Sequence, residues 1–597
     1  MYTNINTRLV DRLESYKSPR KSHEKYGDTY MIVALNMTYL KTANAEFITQ
    51  VTTRRNDFPK PIKDYKVVDV FGPSMLSSEG PHWREHKRVI APSFSEKSNK
   101  FAFEESLKQA EGMMNFWISQ GDNTAQDVRV DDTSKDTAIL SLNVICTAGF
   151  GVPQLWPNQS QSMLDGKGVS GFTGAAPSNG HALMFKDSLG VLLHGILNFL
   201  AFEPWMLKIS PFKFQRDVYQ AYDETARYFQ ELINLKKEQL SLGESDKGIM
   251  DLMGPMIKSS QELPALNDFK EEGPHKPILT RDEIISNSFI FFFAGHETSA
   301  NSIHFSIIEL ALSLPAQQHM QKDIDRIIGQ KPLSEISYHA DMPRLYNSMV
   351  GAVLNEQLRV LPAIIAIPKI VTGGDQKIMI DKKEYTVPDD TFIHINTVGT
   401  NRNPRYWPYS PSRITGRPHD LDDFVPERWL PDHDTIQVNG PDYEHADKGG
   451  KEKSAPQESA TVSDGLEKVS YESSSGGLFI PPKGAFTSFS EGPRACPGKR
   501  FAQVEITAVL TALFQRYSVE LDVREWASDD EVQTMDTVQR RRVYERAMTR
   551  AREVLRDLEP VITLLMKRGD KVPVRFVERG HERFAACFAE DVRGTTD

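Results

Sequence analysis

The chain has 597 residues, with 71 basic against 81 acidic side chains and a formal net charge of −10. That balance excludes a general nucleic-acid binder, whose footprint is a basic excess. Three cysteines give no disulfide framework and suit a reducing compartment, and no apolar stretch near the amino terminus is long enough to span a bilayer.

In chain order, the first distinctive segment is His82-Trp83-Arg84-Glu85-His86-Lys87-Arg88, followed by Val89 to Phe94. Cys146, in the apolar run Leu142 to Phe150, reads as core, and Leu189 to Phe202 is apolar but too short and interrupted to cross a membrane. A long helix follows. Thr280 and Glu283 form a capping box at its start and Pro315 bounds its end. About 34 residues at 1.5 Å rise would run roughly 51 Å, enough to cross a domain. Ile290, Ala294, Thr298 and Ser302 share one face at i, i+4 spacing. The helix carries Ala294-Gly295-His296-Glu297-Thr298, in which Gly295 weakens the helix locally and is expected to let the backbone open.

Glu356 and Arg359 can pair at i, i+3; Pro362 ends their helix, and Ala363 to Ile367 is a strand-like apolar run. Phe424-Val-Pro426-Glu427-Arg428-Trp429 reads as a charged turn. From Asp432 to Gly477 the chain is rich in Gly, Ser, Glu and Lys, and is expected to be a disordered surface insertion.

The segment Phe489-Ser-Glu-Gly492-Pro-Arg494-Ala-Cys496-Pro-Gly498 carries the most chemistry. A cysteine persists as thiolate where backbone N–H groups and a helix N-terminus favour negative charge. Gly492 and Gly498 remove side chains where the backbone turns tightly or meets a flat cofactor. Arg494 offers a two-pronged donor to a carboxylate such as a haem propionate, and Phe489 can shield the sulfur from water. Residues Arg500 to Phe514 then read as a helix with Ala502, Ile506, Val509, Leu510 and Leu513 on one face.

This cysteine segment resembles the ligand loop of the cytochrome P450 haem-thiolate monooxygenases, fungal members in particular. The Ala294–Thr298, Glu356–Arg359 and Phe424–Trp429 segments are similar to three further signatures of that family, and the Trp83 segment resembles its tryptophan helix. The resemblance implies a mainly α fold with small β-sheets, the cytochrome P450 fold, as a single large haem domain over 1–597. It implies haem held by Cys496 as axial iron ligand, with Ala294, Gly295, Phe489, Gly492, Arg494 and Gly498 around the cofactor. Trp83 and Arg84 are expected at the propionates ahead of Lys87 and Lys369, because lysine replaces arginine at the last two positions and loses the planar fork. Arg428 is expected to complete a three-charge cluster with Glu356 and Arg359.

Thr298 and Glu297 are implied as the catalytic pair that hydrogen-bonds activated dioxygen and relays protons. The implied partners are O2, a small apolar organic substrate, a membrane surface and an NADPH–cytochrome P450 reductase, since the chain has neither a Rossmann fingerprint nor a flavin segment. The implied location is the cytosolic face of the endoplasmic reticulum membrane. No family-type membrane anchor precedes the catalytic segments, so the chain is expected either to be a soluble form or, the preferred reading, to lack the start of its gene product. The implied reaction inserts one oxygen atom of O2 into the substrate, in specialised-metabolite biosynthesis by analogy. Two other readings share the cysteine loop, a haem-thiolate isomerase or dehydratase and a non-enzymatic haem sensor; the Glu297–Thr298 pair argues against both.

Overall fold

A computed structural model describes residues 12–34, 37–159, 172, 177, 180–242, 252–260, 278–430 and 477–588. The expected insertion at 432–477 lies outside them except for Gly477.

The capping box forms as expected: Thr280 and Glu283 cap a 32-residue helix, Arg281–Leu312. Nearly every residue from Glu283 onward is buried, because the helix runs through the protein and meets neighbours on all sides. It ends at Leu312, and Pro315 lies in the first turn of the next helix, Leu314–Ile327, where a missing N–H costs nothing. Around this long helix pack Ser134–Val144, Met349–Val360 and Lys499–Arg516. Lys499–Arg516 also lies along Glu96–Ile118. Phe292 anchors the middle of the long helix, with Phe150 stacked 4.1 Å away and Phe185 and Phe229 at 5.3 and 5.5 Å.

The strands near the start and two of those after Pro362 make one sheet. Thr29–Ala34 and Met37–Thr42 form a hairpin, Phe392–Asn396 pairs parallel to the second strand, and Ala366–Ile370 closes the edge. Leu40, Ile393 and Ile395 on this sheet bury against Phe47, Ile48 and Val51 of a helix, in a small core separate from the main one. Alternation along Phe392–Asn396 puts Ile393 and Ile395 on this face. A mainly helical chain with small sheets is therefore what the sequence folds into.

The Leu189–Phe202 run divides. Leu189 and Leu192 are buried on the helix Phe185–His194, whereas Leu197, Leu200 and Phe202 are exposed. Trp205, Met206, Ile209, Phe212 and Phe214 extend the exposed apolar surface.

Candidate active site

Local turns set the cysteine loop. Ala495 N–H donates to Gly492 O at 3.0 Å and Cys496 N–H to Phe489 O at 2.9 Å, folding the segment back on itself ahead of the helix Lys499–Arg516. Gly492 has φ +67°, and a Cβ there would stand 2.5 Å from Thr52 O, so no other residue fits without a backbone shift. Gly498 is less constrained: its φ is −84°, and a Cβ would meet Cys496 Sγ at an ordinary 3.8 Å. Cys496 is exposed, whereas Cys146 and Cys587 are buried. Burial of its surroundings pushes the Cys496 thiol up; the Gly498 N–H, Lys499 and Lys60 pull it down. Metal ligation deprotonates a thiol outright. Phe489 is half-buried, with Lys499 Nζ 5.9 Å from its ring centre.

A cationic cluster adjoins the loop. The Arg494 guanidinium lies 4.1 Å over the Trp83 ring, pairs with Glu79 at 2.6 Å and donates to Met75 O at 3.2 Å and to Ser78 O. Arg55 and Lys87 flank the same ring at 5.0 and 5.4 Å. Lys369 is buried, and its Nζ has no hydrogen-bond partner among the described residues; Arg494 Nε is likewise buried without one among them. Burial, partly offset by Glu79, lowers Lys369 to about 8. Burial, with the charges of Arg494 and Lys369, lowers Lys60 to about 7. Three cations against the single carboxylate of Glu79 leave a local positive excess, and buried charges otherwise come paired.

Arg84 is exposed, and its guanidinium makes no ion pair or hydrogen bond among the described residues. The structure thus buries Lys369 near Arg494 and leaves Arg84 on the outer face. Helical spacing explains this. Trp83 and Lys87 share a face at i, i+4, while Arg84 and Arg88 share the exposed one.

On the long helix, Ala294 alone is exposed between Glu283 and Leu312 among the described residues. Thr298 Oγ1 donates to Ala294 O at 2.7 Å. The backbone is α-helical through Gly295, and the opening expected there belongs to the dioxygen-bound state; Gly295 makes room for Ile145, which a Cβ would meet at 3.2 Å. Glu297 Oε1 accepts from the Thr563 hydroxyl at 2.6 Å, and burial holds the carboxyl above its ordinary range. Thr563 is a partner the sequence did not reveal. It sits on the turn between the strands Glu559–Pro560 and Leu564–Leu565, and Leu564 N–H reaches Ala363 O at 2.9 Å. Lys60 and Glu79 were missed as well.

The charge cluster at Arg428 closes as expected. Glu356 receives Arg359 at 2.7 and 2.8 Å, Arg428 at 3.0 Å, Trp429 Nε1 at 2.9 Å and the Val425 N–H at 2.9 Å. These charges hold Glu356 down at about 2 despite its burial.

The residues present fit a haem: a sulfur in a glycine-set turn, and beside it two buried, unpartnered N–H groups in a positive cluster suited to carboxylates. Comparison with known proteins agrees. A cytochrome P450 monooxygenase of Arthrobotrys oligospora is 28% identical, the match covering 85% of this chain and 79% of the relative. Another from Postia placenta is also 28% identical, over 81% of this chain and 76% of the relative. The phomenoic acid biosynthesis cluster cytochrome P450 monooxygenase of Leptosphaeria maculans is 22% identical, over 84% and 77%. The family description Cytochrome P450 matches residues 4–446 and 470–541, a span that holds both the Glu297–Thr298 pair and Cys496. On that match, the chain belongs to the cytochrome P450 family.

Proposed function

We infer that this monooxygenase holds haem through Cys496 and inserts one oxygen atom of O2 into an apolar organic substrate. The observation that carries the site assignment is the cysteine turn beside a positive cluster with unpartnered Lys369 Nζ and Arg494 Nε. When bound, the haem iron supplies dioxygen activation, and a thiolate ligand favours O–O cleavage. Lys369, Arg494 and Lys60 take the propionates, with Trp83 and Lys87 supporting Arg494; Arg84 takes no part. Phe489 limits water at the sulfur.

Glu297 relays protons through its carboxyl oxygens, and burial, which raises its pKa above the ordinary carboxylate range, makes it a readier proton acceptor for that relay. The Thr563 hydroxyl fixes that carboxyl, and the Thr298 hydroxyl, anchored to Ala294 O, presents its oxygen at the exposed stretch of the helix. An isomerase or a sensor needs no such pair. The pocket draws on 64–78, 290–294 and 363–367, with Ile562 and Thr563 added by the hairpin; the apolar character of these segments selects an apolar substrate. Specialised metabolism is the proposed setting, as for the phomenoic acid relative.

Electrons come from NADPH through a separate flavoprotein reductase. It docks on exposed Lys483, Lys499 and Arg88 near the cysteine loop, whereas Arg500 is partly engaged by Glu96 at 3.8 Å. No helix among the described residues is long and apolar enough to cross a membrane. The exposed apolar surface from Leu197 to Phe214 is proposed to dip into the cytosolic face of the endoplasmic reticulum membrane. The test is reductase-dependent NADPH consumption on adding apolar substrates. Stoichiometric oxygenated product supports the reading, and product formation without reductase, NADPH or O2 overturns it.

A further inference from the structure

We propose that His82, His86 and Glu283 form a binding site for a divalent transition metal, zinc in preference, that ties the Trp83 helix to the start of the long helix. His82 and His86 stand at i, i+4 on the helix Gly80–Ile90, so their rings share one face. Glu283 comes from the first turn of the long helix opposite. His82 Nε2 is 2.5 Å from Glu283 Oε1, the two Nε2 atoms are 3.1 Å apart, and His86 Nε2 is 3.5 Å from the same oxygen. All three donor atoms lie within 4.8 Å of one another.

A tetrahedral zinc with bonds of about 2.0–2.1 Å sets its ligand atoms about 3.4 Å apart. Two of the three edges already match. The third opens by about 0.9 Å, and the motion falls on His82, whose side chain is 42% exposed. The same exposure gives an ion its entry path and leaves the fourth position to water.

The supporting groups are in place. Glu283 Oε2 accepts from the Thr280 N–H at 2.7 Å and its hydroxyl at 2.9 Å, which fixes the carboxylate and leaves Oε1 for the ion. Asn287 Oδ1, 3.4 Å from His86 Nδ1, is the acceptor for that ring's N–H when Nε2 ligates, and the Asn287 Nδ2 donor, now at 3.0 Å, turns aside for it. A ligating histidine needs a partner there. Two imidazoles and one carboxylate suit zinc and its neighbours over the oxygen-seeking Mg2+ and Ca2+.

Holoprotein freed of loose metal with a chelator is titrated with Zn2+ alone by calorimetry, and its thermal unfolding is recorded with and without Zn2+. Expected is one tight equivalent per chain and a zinc-dependent rise in Tm. His82→Ala removes an exposed ligand. Glu283→Gln keeps the cap, since glutamine serves at that position. Each substitution should weaken binding at least about tenfold and abolish the rise in Tm. Zinc binding of equal strength in both variants overturns the site, as does no saturable binding to the unaltered protein. An equal response to Mg2+ overturns the metal assignment.

Discussion

Glu356→Gln probes the charge cluster most sharply. The carboxylate is completely buried and receives five hydrogen bonds, from Arg359, Arg428, Trp429 and Val425. Its pKa drops from 4.5 to about 2 on folding. At about 1.36 kcal/mol per pH unit, that depression represents about 3 kcal/mol of stability. The sign follows from a depressed folded value: the contribution is complete above pH 4.5 and is lost as pH falls through about 2. Glutamine keeps the shape but aims an amide N–H at guanidinium donors and leaves two arginines short of a counter-charge. Breaking a buried pair in this way costs about 3–5 kcal/mol. Urea unfolding followed by tryptophan fluorescence at pH 7 measures the loss. Glu545→Gln is the control, because Glu545 forms an exposed pair with Arg541 at 3.1 Å and such pairs contribute only about 0.3–0.5 kcal/mol. A Glu356→Gln protein no less stable than the Glu545→Gln protein would refute the reasoning.

Gly492→Ala should destabilise by about 1–3 kcal/mol, given its positive φ and the Thr52 carbonyl, and clearly more than Gly498→Ala; urea unfolding of the two variants compares them. Lys369→Met should release haem about tenfold faster or more, from the loss of a charged contact, while Arg84→Ala leaves the rate unchanged; transfer of haem to an excess of apomyoglobin gives both rates. Thr298→Ala should bind haem and substrate yet yield less product per NADPH consumed and more hydrogen peroxide, and an unchanged ratio would remove Thr298 from the chemistry. Thr563→Val deletes the hydrogen bond that lowers Glu297, so the carboxyl rises further and the pH dependence of coupling should move to higher pH.

What was legible in the sequence was what local chemistry determines. The capping box at Thr280, the i, i+3 pair Glu356–Arg359 and the cysteine turn each announce themselves within a few residues. Partners brought in by the fold did not. Thr563 lies 266 residues from Glu297 in the chain, and no local pattern marks it. The exposure of the candidate propionate residues was not legible from residue type alone, because helix phase turns Arg84 outward while Lys369 is buried. Gly295 was read as a weak point, yet the Ile145 side chain packed against it supplies a structural use for a missing Cβ.

The most direct test of the account is the absorption spectrum of the reduced protein under carbon monoxide. The account predicts the red-shifted band of a thiolate-ligated ferrous haem in the unaltered chain. Cys146→Ser and Cys587→Ser should keep that band, since both cysteines are buried away from the turn that holds Cys496, and Cys496→Ser should lose it. A Cys496→Ser protein that retains the band would contradict the assignment of Cys496 as the iron ligand.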